Sequence, residues 1–215
     1  MGIRINDEAP NFTAASDHGE INFHDWMDGH WTILFSHPKD YTPVCTTEFG
    51  AVATLKDEWA KRNTKVIGLS VDSVKEHAGW KKDIETYAKA APDFPIIGDI
   101  DLAVSKAFDM LPADAYLPDG RTAADSASVR SVIIIAPNKK IQLIMTYPMS
   151  VGRNFAEVLR ALDGLQATYE QPVATPANWN VGDDVIVALT LNDEQAREKF
   201  GELNIHLPYL RTTKA

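Results

Sequence analysis

The chain has 215 residues, of which 45% are hydrophobic and 24% are charged, and its formal net charge is −9. This composition is ordinary for a folded globular protein and excludes a disordered or low-complexity chain. The acidic balance argues against nucleic acid or an anionic membrane surface as a partner. Since the longest apolar runs, such as 132–136, are far shorter than the ~20 residues that cross a bilayer, we predict no membrane span.

Cysteine occurs once, at position 45, so an intramolecular disulfide is impossible and a disulfide-stapled secreted scaffold is excluded. The first eight residues lack an apolar segment and turn acidic at Asp7 and Glu8, unlike a signal or transit peptide. We therefore expect a protein of a reducing compartment, the cytoplasm.

The first half of the chain predicts alternating strands and helices. Residues 3–24 favour turns and short strands. An aromatic and β-branched run over 31–36 indicates a buried strand. Apolar residues at spacings of three to five over 43–62 predict one amphipathic helix. The next predicted elements are a strand, a helix that Ser73 caps and a short strand, over 65–71, 73–90 and 95–98.

The pattern continues with a short helix over 102–108 and a loop over 111–127 that is rich in Pro, Asp, Gly and Ala. Two strands, over 128–136 and 141–147, are separated by four residues, a spacing typical of an antiparallel hairpin. A helix over 154–169 follows. Together these elements predict an α/β fold, in which helices cover both faces of a mixed central sheet.

The character of the sequence changes at Glu170, after which come two prolines and little helical periodicity. We therefore predict a boundary near this residue, between a domain over 1–169 and a smaller one over 170–215. The smaller domain contains a predicted strand over 185–189 and a helix over 192–200. Its apolar residues are too few for a core of its own, so we expect it to pack on another surface.

Cys45 lies where a strand gives way to a helix. His37 and Pro38 close the strand, and Thr42 and Pro43 suit the cap and the first position of the helix that follows. The sulfur is then in the first helical turn, where the positive end of the helix dipole favours a thiolate over a thiol. A lone cysteine is more often a small buried hydrophobe. The threonines and prolines around this one favour a reactive sulfur instead.

Several functions are open to such a sulfur. Acyl transfer with His37 as the base is one, although the Gly-rich signatures of an oxyanion hole are missing around Cys45. A Cys-x-x-Cys redox motif is excluded, because the chain has no second thiol. Oxidation of the thiolate by a peroxide to sulfenic acid, which an outside thiol then reduces, fits better. The alternative without catalysis is a peroxide-signalling or chaperone-like binding protein, which the acidic composition and the C-terminal segment would suit.

Arg130 is the second candidate residue, because a charge inside the apolar run 128–136 needs a reason. One reading is an edge-strand arginine whose stem covers apolar surface. If the guanidinium lies beside Cys45, it would stabilise the thiolate, orient a peroxide and neutralise the oxygen that leaves.

We predict no metal or cofactor site. His18, His24 and His30 are spaced six apart, which matches neither a helical face nor a pattern of metal ligands. Peroxide reduction at one sulfur needs no metal, haem, flavin or nicotinamide.

The run over 36–48, Ser-His-Pro-Lys-Asp-Tyr-Thr-Pro-Val-Cys-Thr-Thr-Glu, resembles the active-site segment of peroxiredoxins, which follows Pro-x-x-x-Thr-x-x-Cys. Its His-Pro pair and its ending resemble the one-cysteine branch of that family, the group that includes mammalian peroxiredoxin six. Residues 128–130 resemble the strand that carries the family's arginine, residues 152–155 resemble a second conserved motif, and residues 173–179 resemble the start of this branch's C-terminal domain. The likeness therefore covers essentially the whole chain.

The resemblance implies a thioredoxin-like fold with a small C-terminal extension domain, and a peroxidase of antioxidant defence that acts on hydrogen peroxide and alkyl hydroperoxides. It implies that Cys45 is the nucleophile and that Thr42 hydrogen-bonds the sulfur and the substrate. It also implies that Pro38 shields the sulfur from water and that Arg130 activates both sulfur and substrate. The supporting positions that it implies are His37, Glu48 and Arg153.

The supporting positions have structural alternatives. His37, which could be a partner for the thiolate or the reductant, could also merely cap the end of a strand. Glu48 and Arg153 could form a plain ion pair at the surface or at an interface. The C-terminal segment of this branch packs across a partner subunit, so the resemblance implies a homodimer in which residues 170–215 find their core.

Two absences narrow the expected activity. Since there is no resolving cysteine, sulfenic Cys45 would be reduced by an external thiol, ascorbate or a partner protein. Some mammalian members carry a Gly-x-Ser-x-Gly lipase motif before the active-site strand. The matching residues over 28–32 are Asp-Gly-His-Trp-Thr, which lack the serine nucleophile, so we expect no phospholipase activity.

Overall fold

The computed structural model describes residues 2–117, 119–120, 122 and 125–214. The chain divides into two compact units, Met1–Arg153 and Asn154–Ala215. This division falls before the helix that precedes residue 170, and the domain boundary near residue 170 stays a prediction. Among the described residues, no helix combines the length and the apolar composition that crossing a membrane requires.

The described part of the first unit contains seven strands and five helices. The strands are β1 (Thr13–Ser16), β2 (Gly19–Asn22), β3 (Trp31–Ser36), β4 (Thr64–Ser70), β5 (Ile96–Gly98), β6 (Arg130–Ile135) and β7 (Ile141–Tyr147). The helices are α1 (Phe23–Met27), α2 (Pro43–Thr54), α3 (Lys56–Lys61), α4 (Val74–Ala88) and α5 (Ala103–Ala107).

The seven strands form one mixed sheet in the order β2-β1-β5-β4-β3-β6-β7. β4 is parallel to both β3 and β5, and the other neighbouring pairs are antiparallel. The predicted hairpin is β6 and β7, which pair from Arg130 opposite Tyr147 to Ile135 opposite Ile141. The antiparallel prediction is therefore confirmed.

Strand β3 lies at the centre of the sheet, and all six of its residues are buried. Successive side chains of a strand point to opposite faces. Leu34 belongs to a cluster with Phe23 of α1 and Val104 of α5. Phe35 packs instead against Phe49 of α2, with ring centroids 4.9 Å apart. Helices thus cover both faces of the mixed sheet, as predicted.

The single helix predicted over 43–62 is wrong, because it breaks at Leu55 into α2 and α3. The Leu55 N–H donates to the Val52 carbonyl three residues back, at 3.2 Å, which tightens the chain at this point. The indole Nε1 of Trp59 donates to the same carbonyl at 3.0 Å and the ring is buried. The break therefore lets the tryptophan bury its ring and pair its N–H.

The remaining predictions for the first unit hold with small shifts. Residues 3–24 contain β1 and β2, and also the start of α1, which we did not predict. The predicted loop over 111–127 has neither helix nor strand in its described residues. Part of that prediction lies outside the described residues, at Pro118, Arg121, Ala123 and Ala124.

The second unit contains α6 (Phe155–Glu170), α7 (Asp193–Phe200) and a four-stranded antiparallel sheet in the order β10-β11-β9-β8. The strands are β8 (Val173–Ala174), β9 (Val185–Val187), β10 (Asn204–Leu207) and β11 (Leu210–Thr213). We predicted α6, α7 and β9 but not the other three strands. Val187, Ala196 and Leu203 are buried together, so this unit has a small core where we expected none.

Candidate active site

Cys45 occupies the first turn of α2, as predicted, and its side chain is fully buried. Thr42 is the N-cap residue, with extended backbone at φ −114° and ψ 149°, and Pro43 begins the helix. The Thr42 side chain does not cap the helix, because its hydroxyl donates to the Lys39 carbonyl at 2.9 Å. The helix therefore presents uncapped N–H groups and the positive end of its dipole in the turn that holds the sulfur.

Arg130 lies beside the sulfur, although the two residues are distant in sequence. It is the first residue of β6, and the antiparallel pairing of β6 with β3 carries it to the end of β3 from which α2 follows. Its Nη1 lies 3.4 Å from Cys45 Sγ, and its Nε donates to the Met149 carbonyl at 2.8 Å. The guanidinium is nearly fully buried. An edge-strand arginine that merely covers surface is thus excluded.

Glu48 joins the two arginines of the site. Its Oε2 accepts from Arg130 Nη1 and from Arg153 Nη2, each at 2.7 Å. Its Oε1 accepts from the backbone N–H and the Nε of Arg153, at 2.8 and 2.9 Å. Arg153 Nη1 also donates to the Ser131 carbonyl at 2.7 Å. All three charged side chains are buried, so Glu48 and Arg153 are not a surface ion pair.

The charged side chains of this network place a net positive charge beside the sulfur. Burial by itself would raise the pKa of Glu48, but the hydrogen bonds and charge of Arg153, together with the charge of Arg130, outweigh burial and lower that pKa. The two guanidinium groups and the one carboxylate give this buried group of three side chains a net charge of +1. A thiolate at Cys45 would neutralise it, at a distance where low polarity strengthens the attraction.

His37 is also fully buried, at the end of β3. Its ring Nε2 lies 2.6 Å from Asp40 Oδ1, and no hydrogen bond among the described residues joins the ring to Cys45. Burial lowers the pKa of this histidine, and the nearby Asp40 carboxylate only partly counteracts that effect. Pro38, which follows, is buried as well.

Two buried residues next to this site, Asp40 and His77, were not predicted from the sequence. Asp40 Oδ2 lies 2.6 Å from His77 Nδ1, across 37 positions of the chain. The three-residue spacing of His37 and Asp40 could have indicated a hydrogen bond between their side chains. His77 carried no such signal, because it lies in a polar stretch of α4 and its partner is on a different element.

Comparison with known proteins identifies the family. The AhpC/TSA family matches residues 5–144, and the C-terminal domain of 1-Cys peroxiredoxin matches residues 164–203. The mitochondrial peroxiredoxin PRX1 of Saccharomyces cerevisiae is 49% identical, over 99% of this chain and 81% of that protein. Peroxiredoxin-6 of Gallus gallus is 46% identical, over 99% of this chain and 97% of that protein.

Solved structures agree with these sequence matches. Peroxiredoxin 6 of Arenicola marina, solved as a cysteine-to-serine mutant, has a TM-score of 0.92 at 38% identity and covers 99% of this chain and 98% of its own. A yeast mitochondrial 1-Cys peroxiredoxin has a TM-score of 0.88 at 49% identity, and the match covers 99% of this chain and 100% of that one. The fold is thus the thioredoxin-like fold of these proteins, with a second small sheet near the C-terminus. The chain belongs to the peroxiredoxin family, in its one-cysteine branch, and is a peroxidase.

Proposed function

We propose that Cys45 is the nucleophile with which this peroxidase reduces hydrogen peroxide and alkyl hydroperoxides. The observation that carries this proposal is a single cysteine at the start of α2, buried, with its sulfur 3.4 Å from a guanidinium nitrogen. The thiolate attacks one peroxide oxygen, so that an S–O bond forms as the O–O bond breaks. The sulfur becomes sulfenic acid, and the other oxygen leaves and takes up a proton as water or alcohol.

Arg130 and Thr42 act directly on the reacting atoms. The Arg130 guanidinium stabilises the thiolate and the oxygen that leaves, because both carry negative charge. The Thr42 hydroxyl gives its hydrogen to the Lys39 carbonyl. Its oxygen is then left as an acceptor for the hydrogen of a bound hydroperoxide.

The other site residues support these two. Glu48 and Arg153 hold the Arg130 guanidinium in one orientation, through the four contacts that Arg153 and Arg130 make with the carboxylate. Pro38 keeps water from the sulfur, and its burial supports that role. His37 supports the segment that leads into α2, through its bond to Asp40.

The reductant is an external thiol. Sulfenic Cys45 has no second cysteine in the chain with which to form a disulfide. The similar yeast 1-Cys peroxiredoxin is described as resolved through glutathione and thioredoxin systems. We extend the same two classes of reductant, a small thiol and a thioredoxin-type protein, to this chain.

The assembly is a homodimer, and the compartment is the cytoplasm. Support for the dimer comes from the second unit, which has a small core and large exposed apolar side chains at Val181, Leu189 and Tyr209. Large exposed apolar side chains are often buried in protein interfaces. For the compartment, the single cysteine is the support, because a chain without an intramolecular disulfide suits a reducing compartment, while one relative is named as mitochondrial. Imaging of the C-terminally tagged protein in its own cells tests the compartment.

One experiment tests the peroxidase proposal for Cys45. Peroxide consumption with dithiothreitol is measured for the wild type and for Cys45→Ser, and intact-mass spectrometry follows the addition of one or two oxygen atoms. We expect consumption and oxygen addition by the wild type alone. Equal rates for the two proteins would exclude Cys45 as the nucleophile. Ester hydrolysis without peroxide would favour acyl transfer, and protection of a client from aggregation by both proteins would favour the chaperone-like alternative.

A further inference from the structure

Three buried polar side chains meet behind the segment that leads into α2. His37 and Asp40 belong to that segment, and His77 comes from α4. The two histidines have no exposed surface and Asp40 is 3% exposed. Buried polar groups cost free energy unless they are paired, so the pairing of these atoms determines which protonation states the site can hold.

The Asp40 carboxylate accepts two short hydrogen bonds. Oδ1 accepts from His37 Nε2 and Oδ2 from His77 Nδ1, both at 2.6 Å, a length typical of charge-assisted bonds. Burial by itself would raise the pKa of Asp40, but the two histidine hydrogen bonds outweigh it and lower that pKa. The Asp40 N–H in turn donates to Asp72 Oδ2 at 2.8 Å, and Ser70 Oγ donates to the same Asp72 oxygen. Asp40 is thus held at both its side chain and its backbone.

The two histidines differ in what their second nitrogen faces. His77 Nε2 lies 3.1 Å from the carbonyl oxygen of Ile97 in β5, so both nitrogens of this ring face acceptors. Both bonds form only when both nitrogens carry hydrogen, which makes the ring an imidazolium. His37 Nδ1 is buried, and no described residue offers it a hydrogen-bond partner. Its ring therefore carries hydrogen on Nε2 alone and keeps a lone pair on Nδ1.

The backbone next to Asp40 explains why such a network is useful. Tyr41 has φ at 54°, a left-handed conformation that costs free energy in a residue with a bulky side chain. It is followed by Thr42, the N-cap of the helix that carries Cys45. A strained residue persists only where its neighbours are held firmly, and Asp40 is held by two histidines and Asp72.

We infer that His77 is a positioning residue of the peroxide site. As an imidazolium it pairs with the Asp40 carboxylate, which fixes the Nε2-protonated form of His37 and holds the strained turn at Tyr41 from which α2 begins. The inference rests on the proposed function of Cys45, since His77 acts on the reaction only through that turn.

A metal ion is the alternative occupant of this cluster. One ligand atom from each of the three side chains lies within 4.8 Å of the others. The two histidines, however, face different oxygens of Asp40, at N···O distances of 2.6 Å. Two ligand atoms bound to one ion at ~2.0–2.2 Å each are normally farther apart than that. The contacts are those of a hydrogen-bonded network.

Nitrogen-15 NMR of the histidine rings tests the protonation states in the full-length reduced protein near neutral pH. We expect hydrogen on both nitrogens of His77 and on Nε2 alone in His37. Signals are assigned with His77→Asn and with His37→Gln. A singly protonated His77, or hydrogen on Nδ1 of His37, would overturn the inference, as would stoichiometric metal in the purified protein whose removal changes these signals.

Kinetics test the positioning role. The rate of Cys45 oxidation by hydrogen peroxide in a single turnover is compared for the wild type, His77→Leu and His77→Asn. Small displacements of reacting groups are costly, so we expect a loss of about tenfold or more in His77→Leu. Partial recovery is expected in His77→Asn, whose amide can still donate to Asp40. Ile84→Val, in the same helix and equally buried, is the control and should keep the wild-type rate.

The outcomes separate this inference from the peroxidase proposal. A folded His77→Leu protein with the wild-type rate would overturn the positioning role. If that variant does not fold, the inference is judged by the protonation states of His77 and His37 that NMR reports for the wild type. A wild type that consumes no peroxide would overturn the proposed function of Cys45, while the NMR result would still report whether the His77 and Asp40 ion pair exists.

Discussion

Arg130 is the residue that distinguishes this cysteine from an ordinary buried one. A buried guanidinium needs partners for its hydrogens, and Arg130 finds them in Glu48, in the Met149 carbonyl and in the sulfur itself. In the proposed mechanism, Glu48 and Met149 hold the group in place, so that little reorganisation is needed when charge develops on the peroxide. This kind of preorganised charge is a large term in many enzymes.

We expect Arg130→Ala to slow the reaction of Cys45 with hydrogen peroxide by roughly 10²-fold or more, because the sulfur and the leaving oxygen lose their positive partner. Stopped-flow fluorescence of a single turnover measures the rate. Arg130→Lys is the matched control, because it keeps the positive charge without the planar guanidinium. Its rate should lie between those of the wild type and Arg130→Ala. An unchanged rate in Arg130→Ala would assign this arginine a purely structural role.

At the scale of elements, α2 is held in place by its contact with α4. The two helices approach closely at Gly50, where an added β-carbon would lie 2.8 Å from the Cβ of Ala88. The buried indole of Trp80 in α4 also donates to Thr46 Oγ1 at 3.1 Å, one residue after Cys45. The position of α4 thus determines where the first turn of α2 lies.

Gly50→Ala should destabilise the protein by about 1–3 kcal/mol, because the new methyl group overlaps a side chain that cannot rotate away. The higher helix propensity of alanine stabilises α2 by up to about 1 kcal/mol, and we expect the steric overlap with Ala88 to cost more than this gain. Urea unfolding measures the difference. The double variant Gly50→Ala with Ala88→Gly restores the space and should recover most of the loss. Stabilisation by Gly50→Ala alone would show that the two helices can separate freely.

At the scale of the whole molecule, three buried groups give stability the same pH dependence. The pKa of His37 is lowered from 6.5 by burial. The pKa values of Asp40 and Glu48 are lowered from 3.8 and 4.5, because hydrogen bonds to histidine and arginine outweigh burial. In each case the unfolded chain binds more protons than the folded one below the ordinary pKa, so stability falls as pH falls.

We therefore expect the free energy of unfolding to decrease as pH drops below 6.5, where unfolded His37 takes up a proton, and to decrease further below 4.5, where unfolded Glu48 does. Urea unfolding over a pH series measures it. Glu48→Gln should flatten the lower part of the curve. Glu157→Gln, which removes an exposed ion pair with Arg160, should leave the curve nearly unchanged. A free energy of unfolding that stays constant between pH 6.5 and pH 4.5 would contradict the expectation.

The second unit offers a test of the proposed dimer. Leu189 and Tyr209 are exposed by 69% and 65%, so lysine at both positions should cost little stability within one chain. If these side chains lie in the interface, the double variant should shift the mass measured by light scattering from dimer to monomer. Glu170→Lys, elsewhere on the same unit, controls for added charge. A wild type that is monomeric at micromolar concentration would contradict the proposal.

The sequence by itself determined the features whose causes are local. A strand ended by Pro38 and a helix started by Thr42 and Pro43 place Cys45 in the first turn of α2, because capping and proline geometry act over a few residues. Periodicity likewise revealed the buried strands and the hairpin. It did not reveal β10, whose four residues are all exposed and so have no apolar alternation to read.

The tertiary structure alone decided which charges meet the sulfur. Arg130 and Arg153 reach Glu48 across 82 and 105 positions, and His77 reaches Asp40 across 37. Such contacts depend on strand order and helix packing, which composition and spacing do not encode. The sequence alone predicted a reactive sulfur at Cys45; the pairing of β3 with β6 brought the Arg130 guanidinium to it, and the α4 contact brought His77 to the turn before α2.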